Sequence, residues 1–333
     1  MGERLPVAAA TSVQGADARD LKTAVLIPCY NEASTIGRVV RDFLTADPAV
    51  AVYVYDNNST DDTARVAADA GAVVMHEHRQ GKGRVVRSMF HDVDADIYVM
   101  VDGDDTYPAL EALAMREFVL DGSADMVIGD RLSSTYFEEN KRRFHGFGNR
   151  FVRLLVNQLF KSDLKDIMTG CRCMGRTFVK MMPVLSPGFE VEIEMTIHAL
   201  DKGFLVKEVP IAYRDRAEGS QSKLDTVSDG ARVLAMLMRL FRDYRPMRFF
   251  GMASAVLGIA AMGMFLVPLN EYLRTGLVAK FPTLIVSIAL GLAAMLALTC
   301  GVMLESMRTH AQQDYELRLG VFRREDGRRC SDG

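Results

Sequence analysis

Apolar and polar residues come in alternating blocks along the first hundred residues, and each apolar block is short and continuous. In "AVLIPCYNEASTIGRVV" (Ala24 to Val40) the pattern gives a strand, a turn carrying Pro28 and Asn31, and a helix capped at Ser34. "AVYVYDNNSTDDT" gives a second strand that ends at Asp56, with the next helix starting near Thr60. Ala72 to Met75 is a third strand, "GKGRVVRSMF" (Gly81 to Phe90) opens a third helix, and Ile97 to Val101 is a fourth strand. Strands that are apolar throughout are buried on both faces, and strand–helix alternation predicts a parallel sheet with crossover helices.

The pattern changes near the C-terminus. Phe249 to Pro268 and Thr283 to Leu304 contain no Asp, Glu, Lys or Arg. Each is long enough to cross a hydrocarbon core of about 30 Å. Helices buried in a soluble domain normally carry a polar face, and these carry little beyond Ser and Thr, so they read as a transmembrane hairpin. Arg239, Arg242, Arg245 and Arg248 precede it and Arg308, Arg318, Arg323 and Arg324 follow it, against Arg274 and Lys280 in the connection. This bias puts both termini on the cytoplasmic side of the inner membrane, with a multi-pass chain and a cytosolic N-terminal domain.

Two further stretches are basic and amphipathic. Phe147, Phe151, Leu154, Leu155 and Leu159 fall at helical spacing among Arg150, Arg153, Lys161 and Lys165, which predicts an interface helix over about 146–160. Residues 225–248 repeat the arrangement as a juxtamembrane helix. The expected organisation is a disordered tail over 1–21, a catalytic domain over 22–224, the juxtamembrane helix, the hairpin over 249–304 and a cytoplasmic tail over 305–333. Either amphipathic helix can instead pack on the core.

Composition narrows the partners. A net charge of -3 with no basic face interleaved with aromatics argues against nucleic acid. Five cysteines, at 29, 171, 173, 300 and 330, form no C-x-x-C pair and suit a reducing compartment.

The densest chemistry is Asp102-Gly103-Asp104, two carboxylates at the end of an apolar strand. Ligands gather where such strands end, and a pair of acids is enough to hold Mg2+ or Mn2+ against a diphosphate. Gly81-Lys82-Gly83 is no phosphate loop of the nucleotidase type, because Arg84 stands where that motif needs Ser or Thr.

Taken in order, P-x-Y-N-E at Pro28 to Glu32, D-N-x-S-x-D at Asp56 to Asp61, G-K-G at 81 to 83 and D-x-D at 102 to 104 resemble glycosyltransferase family 2. The resemblance covers roughly residues 22 to 245 and is greatest to polyprenyl-phosphate glycosyltransferases. It implies a GT-A fold, a mostly parallel Rossmann-like α/β sheet flanked by helices. It further implies inverting transfer of a sugar from a UDP- or GDP-linked donor to a polyprenyl phosphate, for cell-envelope glycans. The implied donor site is Pro28, Tyr30, Glu32 and Asp56 around base and ribose, and Lys82, Asp102, Gly103 and Asp104 at the diphosphate. Asp102 and Asp104 would hold the divalent cation, Mg2+ or Mn2+. Arg131, Arg143, Arg216, Ser222 and Lys223 would hold the acceptor phosphate, and Asp104, Arg131 and Lys223 would act most directly in transfer. A homo-oligomer stays open.

Two segments have weaker counterparts. "DIMTGCRCMGR" (Asp166 to Arg176) resembles a D-x-T-S-G-x-R stretch and is assigned to shaping the acceptor loop. Glu192, in "GFEVEIEM", either touches the sugar, acts as a base, or is a satisfied structural carboxylate. A processive polysaccharide synthase would need a Q-x-x-R-W motif, and the chain has no tryptophan. A non-catalytic scaffold would not keep Tyr30, Glu32, Asp56, Asp102, Asp104 and Lys223 together.

Overall fold

A computed structural model describes residues 21–133, 145–214, 238 and 241–332, with side chains left out for 145–151 and 329–332. Arg143, Arg216, Ser222, Lys223, the N-terminal tail and most of the juxtamembrane helix lie outside the described residues. The chain forms two compact units, Met1–Lys223 and Leu224–Gly333.

The first unit is an α/β sheet of seven strands. In chain order it runs β1 (Thr23–Cys29), α1 (Ile36–Ala46), β2 (Ala51–Asp56), α2 (Thr63–Asp69), β3 (Val73–His76), α3 (Lys82–Asp92) and β4 (Ile97–Met100). There follow α4 (Ala109–Ala114), α5 (Glu117–Leu120), β5 (Met126–Asp130), α6 (His145–Phe160), β6 (Arg172–Gly175), α7 (Arg176–Met181), α8 (Val191–Asp201) and β7 (Val206–Pro210). The sheet order is β3-β2-β1-β4-β6-β5-β7, with every pairing parallel except those of β6. All seven residues of β1 are buried, as an interior parallel strand requires. The mixed sheet agrees with the expected GT-A class.

Several boundaries differ from the sequence reading. The cap of α1 is Thr35, not Ser34, because the Thr35 hydroxyl is drawn inward to donate to the Gly103 carbonyl at 2.7 Å. Helix α2 begins at Thr63 rather than near Thr60, whose amide donates to Asn31 Oδ1 at 2.8 Å and so belongs to a loop. The third strand is shifted by one residue to Val73–His76. On α6 the residues turned into the core are Val152, Val156 and Leu159, whereas Leu154, read as part of the apolar face, is 61% exposed.

In the second unit α9 (Pro246–Thr275) and α10 (Phe281–Asp332) are long and apolar enough to cross a membrane. The turn between them is closed by Gly276 at φ 71°, a left-handed conformation that glycine accepts without a Cβ clash. They pack closely through small residues: a Cβ on Gly301 would come 3.0 Å from Phe250 Cβ. Helix α10 does not stop at residue 304 but continues through the segment expected as a tail, because residues 305–328 hold no proline to interrupt it.

Candidate active site

The carboxyl ends of β1, β2 and β4 lie side by side in parallel register, with Cys29 opposite Asp56 and Leu26 opposite Met100. With β3 beside β2, His76 opposite Asp56, four polar loops are brought together there. Asn31, held at φ 53°, accepts the Thr60 amide on its Oδ1 and donates its own N–H to the Ser59 hydroxyl at 2.9 Å. This ties the P-x-Y-N-E turn to the D-N-x-S-x-D loop. Asn57 ties the same loop to the entrance of α3, donating to the carbonyls of Glu77 and Arg79 and accepting the Gly81 amide at 2.7 Å.

Asp56 is buried at the end of β2, with His76 Nδ1 at 3.4 Å. Pro28 and Tyr30 lie on the neighbouring strand end. Glu32 lies between the D-N-x-S-x-D loop, its amide donating to the Thr63 hydroxyl at 2.8 Å, and the D-G-D turn: a Cβ on Gly103 would stand 2.3 Å from Glu32 Oε2 and 2.7 Å from Cys29 Sγ. Gly103 is thus a close-approach glycine. Burial, and then the charge of Glu32, pushes the Cys29 thiol well up, so it stays protonated and is no nucleophile.

Asp104 is buried and accepts the Thr106 hydroxyl at 2.6 Å. Asp102 faces Lys82, whose Nζ is 2.5 Å from Asp102 Oδ1 and 2.6 Å from Glu192 Oε1. Burial alone would push the Lys82 ammonium down, but the two carboxylates outweigh it and hold its pKa above that of an ordinary lysine. Glu192 is pushed up by its own burial, which Lys82 offsets only in part.

Gly170 closes the other side, since a Cβ there would meet Asp102 Oδ2 at 2.3 Å. Its amide donates to the Tyr107 hydroxyl at 3.3 Å. The Asp166–Gly170 segment therefore packs against Asp102 and Tyr107 as well as toward Arg131. Tyr213 stands edge-on to Tyr107 with centroids 5.5 Å apart, and the Arg131 guanidinium lies 5.6 Å from the Tyr213 ring. Arg131, Tyr213 and Tyr107 thus form a line of contacts that ends at Gly170, beside Asp102.

Sequence reasoning gave Asp166 no partner, although the structure gives it one. Arg131 Nε and Nη2 donate to its two oxygens at 2.7 and 3.1 Å, a bidentate clamp on a fully buried carboxylate. Arg172 was also missed. It is wholly buried in β6, donating to the carbonyls of Thr169, Ile167 and Glu192. Burial lowers its pKa to about 10, so it remains charged at neutral pH. It fastens both the Gly170 loop and α8 to the sheet.

Among the described residues no cluster of three His, Cys, Asp or Glu is arranged to hold a metal by itself. Asp102 and Asp104 offer oxygens only, which suits a hard cation that completes its shell with water and phosphate. Lys82 brings one positive charge to the two carboxylates it touches, leaving the cluster net negative. The donor set fits a divalent cation.

Comparisons with known proteins agree with this geometry. The sequence profile described as "Glycosyl transferase family 2" matches residues 24–181. Glycosyltransferase AglJ of Haloferax volcanii is 34% identical over 250 residues, covering 74% of this chain and 81% of that protein. Dolichyl-phosphate hexose transferase of the same organism is 30% identical over 222 residues, covering 67% and 95%. Among solved structures, glucosyl-3-phosphoglycerate synthase from Mycobacterium tuberculosis, in complex with Mn2+, UDP-Glc and phosphoglyceric acid, superposes with a TM-score of 0.53. At 22% identity over 67% of this chain and 79% of that one, it shows the fold. With the strand-end acids, the mixed sheet and these relatives in agreement, the chain belongs to glycosyl transferase family 2 and is a glycosyltransferase.

Proposed function

We propose that this enzyme moves a sugar from a nucleotide-sugar to a polyprenyl phosphate, with inversion at the anomeric carbon, at the cytoplasmic face of a membrane. One observation carries the reading: the paired acids at the end of β4 occur in a chain with two helices that each hold an uncharged stretch long enough to cross a bilayer. The relative that acts as a dolichyl-phosphate hexose transferase supports the acceptor.

The acceptor phosphate is already an anion, so its oxygen attacks the anomeric carbon with no base to deprotonate it. As that bond forms, the bond to the diphosphate breaks, and the electron pair leaves with the nucleoside diphosphate. Asp102 and Asp104 would hold a divalent cation, which supplies neutralisation of the charge growing on the departing diphosphate. Asp56, Pro28 and Tyr30 bind the nucleoside, and their rigid loops prevent it from shifting during attack. Arg131, pre-oriented by Asp166, presents its guanidinium to the acceptor phosphate. Arg143, Arg216, Ser222 and Lys223 complete the acceptor set in this reading. Glu192, engaged with Lys82, is not needed as a base.

The test is a screen of UDP- and GDP-sugars with a C55 polyprenyl phosphate and Mg2+ or Mn2+, analysing the anomeric configuration of the lipid product. Inverted lipid-linked sugar is expected. Transfer only to a water-soluble acceptor would overturn the lipid assignment. Carbonate extraction tests the membrane placement, which fails should the intact chain be released into the soluble fraction.

A further inference from the structure

Lys82 makes two ion pairs with a single ammonium group, to Asp102 and to Glu192. Neither is a surface contact, since the side chains of Lys82 and Glu192 are 11% and 6% exposed. The second oxygen of Glu192, Oε2, is buried with no hydrogen-bond partner. A buried carboxylate oxygen without a donor is costly. Turning the ammonium wholly toward Glu192 would relieve that cost, and the pull of Asp102 opposes the turn. The cluster thus has a second arrangement within reach, with Lys82 on Glu192 and Asp102 released.

The surroundings hold everything else still. Arg172 Nη2 donates to the Glu192 carbonyl at 2.8 Å, and Glu194 accepts the amides of Leu185 and Ser186, both at 2.9 Å. The Gly83 amide donates to the Pro187 carbonyl at 3.1 Å, and a Cβ on Gly83 would come 1.9 Å from the Ser186 carbonyl oxygen. Gly170 leaves the Asp102 carboxylate no slack on its other side. What can rearrange is the flexible four-carbon stem of Lys82.

The geometry points to Glu192 as a positioning residue that stores Lys82. In the resting enzyme the Lys82 ammonium occupies Asp102 in the place of the divalent cation. When a cation arrives, the ammonium passes to Glu192 and the carboxylate of Asp102 becomes a ligand. Positive charge is exchanged for positive charge, and no proton moves. The inference rests on the metal assignment given above and adds the internal competitor that the cation must displace.

Mn2+ binding to the full-length protein in detergent, without nucleotide and read by electron paramagnetic resonance, tests the exchange. Glu192→Gln should weaken Mn2+ binding about tenfold, because Lys82 then has no second anion to go to and stays on Asp102. Adding Lys82→Met to that variant should restore affinity at least to the wild-type value. A structural role for either residue would make the double variant worse, not better. Glu192→Gln binding Mn2+ as wild type does, or a double variant weaker than Glu192→Gln alone, overturns the exchange and leaves the metal site standing. Absence of saturable Mn2+ binding in wild type overturns the metal site and the exchange together. Glu192→Gln is isosteric, so its affinity decides the matter even where the double variant does not fold.

Discussion

Phe43 and Ile259 are both apolar residues in helices, yet Phe43 is 0% exposed and Ile259 is 75% exposed. The contrast holds for the regions around them. In the first unit the apolar residues of β1, β2 and β4 and the inner faces of α1 and α4 form one core. In the second unit the most apolar stretches of α9 and α10 are only 6% and 17% buried. Removing a large apolar side chain from water stabilises by about 1.5–3 kcal/mol, so leaving many of them outside suits a chain that associates with another apolar phase. Equal hydrophobicity therefore has two meanings here. In the first unit it specifies packing against the chain itself, and in the second it suggests association with a membrane, with Gly301 at the contact between the two helices.

Substitutions sharpen this division. The largest effect belongs to the site that the packed unit supports: Asp104→Asn should lower sugar transfer by at least about a thousandfold while leaving the unfolding transition in place. A full rate in that variant would detach the chemistry from the β4 end. Next, Phe43→Ala should cost about 3 kcal/mol of stability, measured as a shift of the urea midpoint of the catalytic unit, because the cavity lies in a closed core. A smaller effect concerns pH. The Arg79 fork, with help from the Ser88 hydroxyl, holds Glu77 down to about 2. Its folded pKa lies below the unfolded value, so its stabilisation is complete above about pH 4.3 and is lost as pH falls toward 2. Glu77→Gln should flatten the acid limb of urea midpoint against pH, and an unchanged limb would refute the pairing. The smallest effect is Ile259→Ala, which should alter unfolding of the catalytic unit by no more than about 0.5 kcal/mol. A loss comparable to that of Phe43→Ala would mean that α9 belongs to a protein core after all.

The first four strands were legible because each is a continuous apolar run followed by a polar turn. Strand β6 was not, since Arg172 opens it and a charge in a buried strand reads as a loop. The three carbonyls around the guanidinium help make it tolerable, and they come from residues whose position depends on the fold. The site was legible as residue types. Asp102, Asp104 and Lys82 stood out by motif, whereas the pairing of Lys82 with Glu192 joins segments 110 positions apart. The clamp of Asp166 on Arg131 escaped notice for the same reason, as no local pattern marks a carboxylate for a partner 35 residues away. The course of α10 past residue 304 was missed because charge was read as the end of the span, although charge alone does not end a helix.

That uninterrupted helix has a mechanical consequence. At 1.5 Å per residue, the part of α10 beyond Leu304 is a rod of roughly 42 Å. Were its apolar part to sit in a bilayer, the rod would be a lever whose fulcrum is the headgroup layer. A change in tilt of about 20°, within the range over which such helices adjust to bilayer thickness, would sweep its far end sideways by roughly 14 Å. In that setting bilayer thickness would become a length that the protein could register outside the membrane.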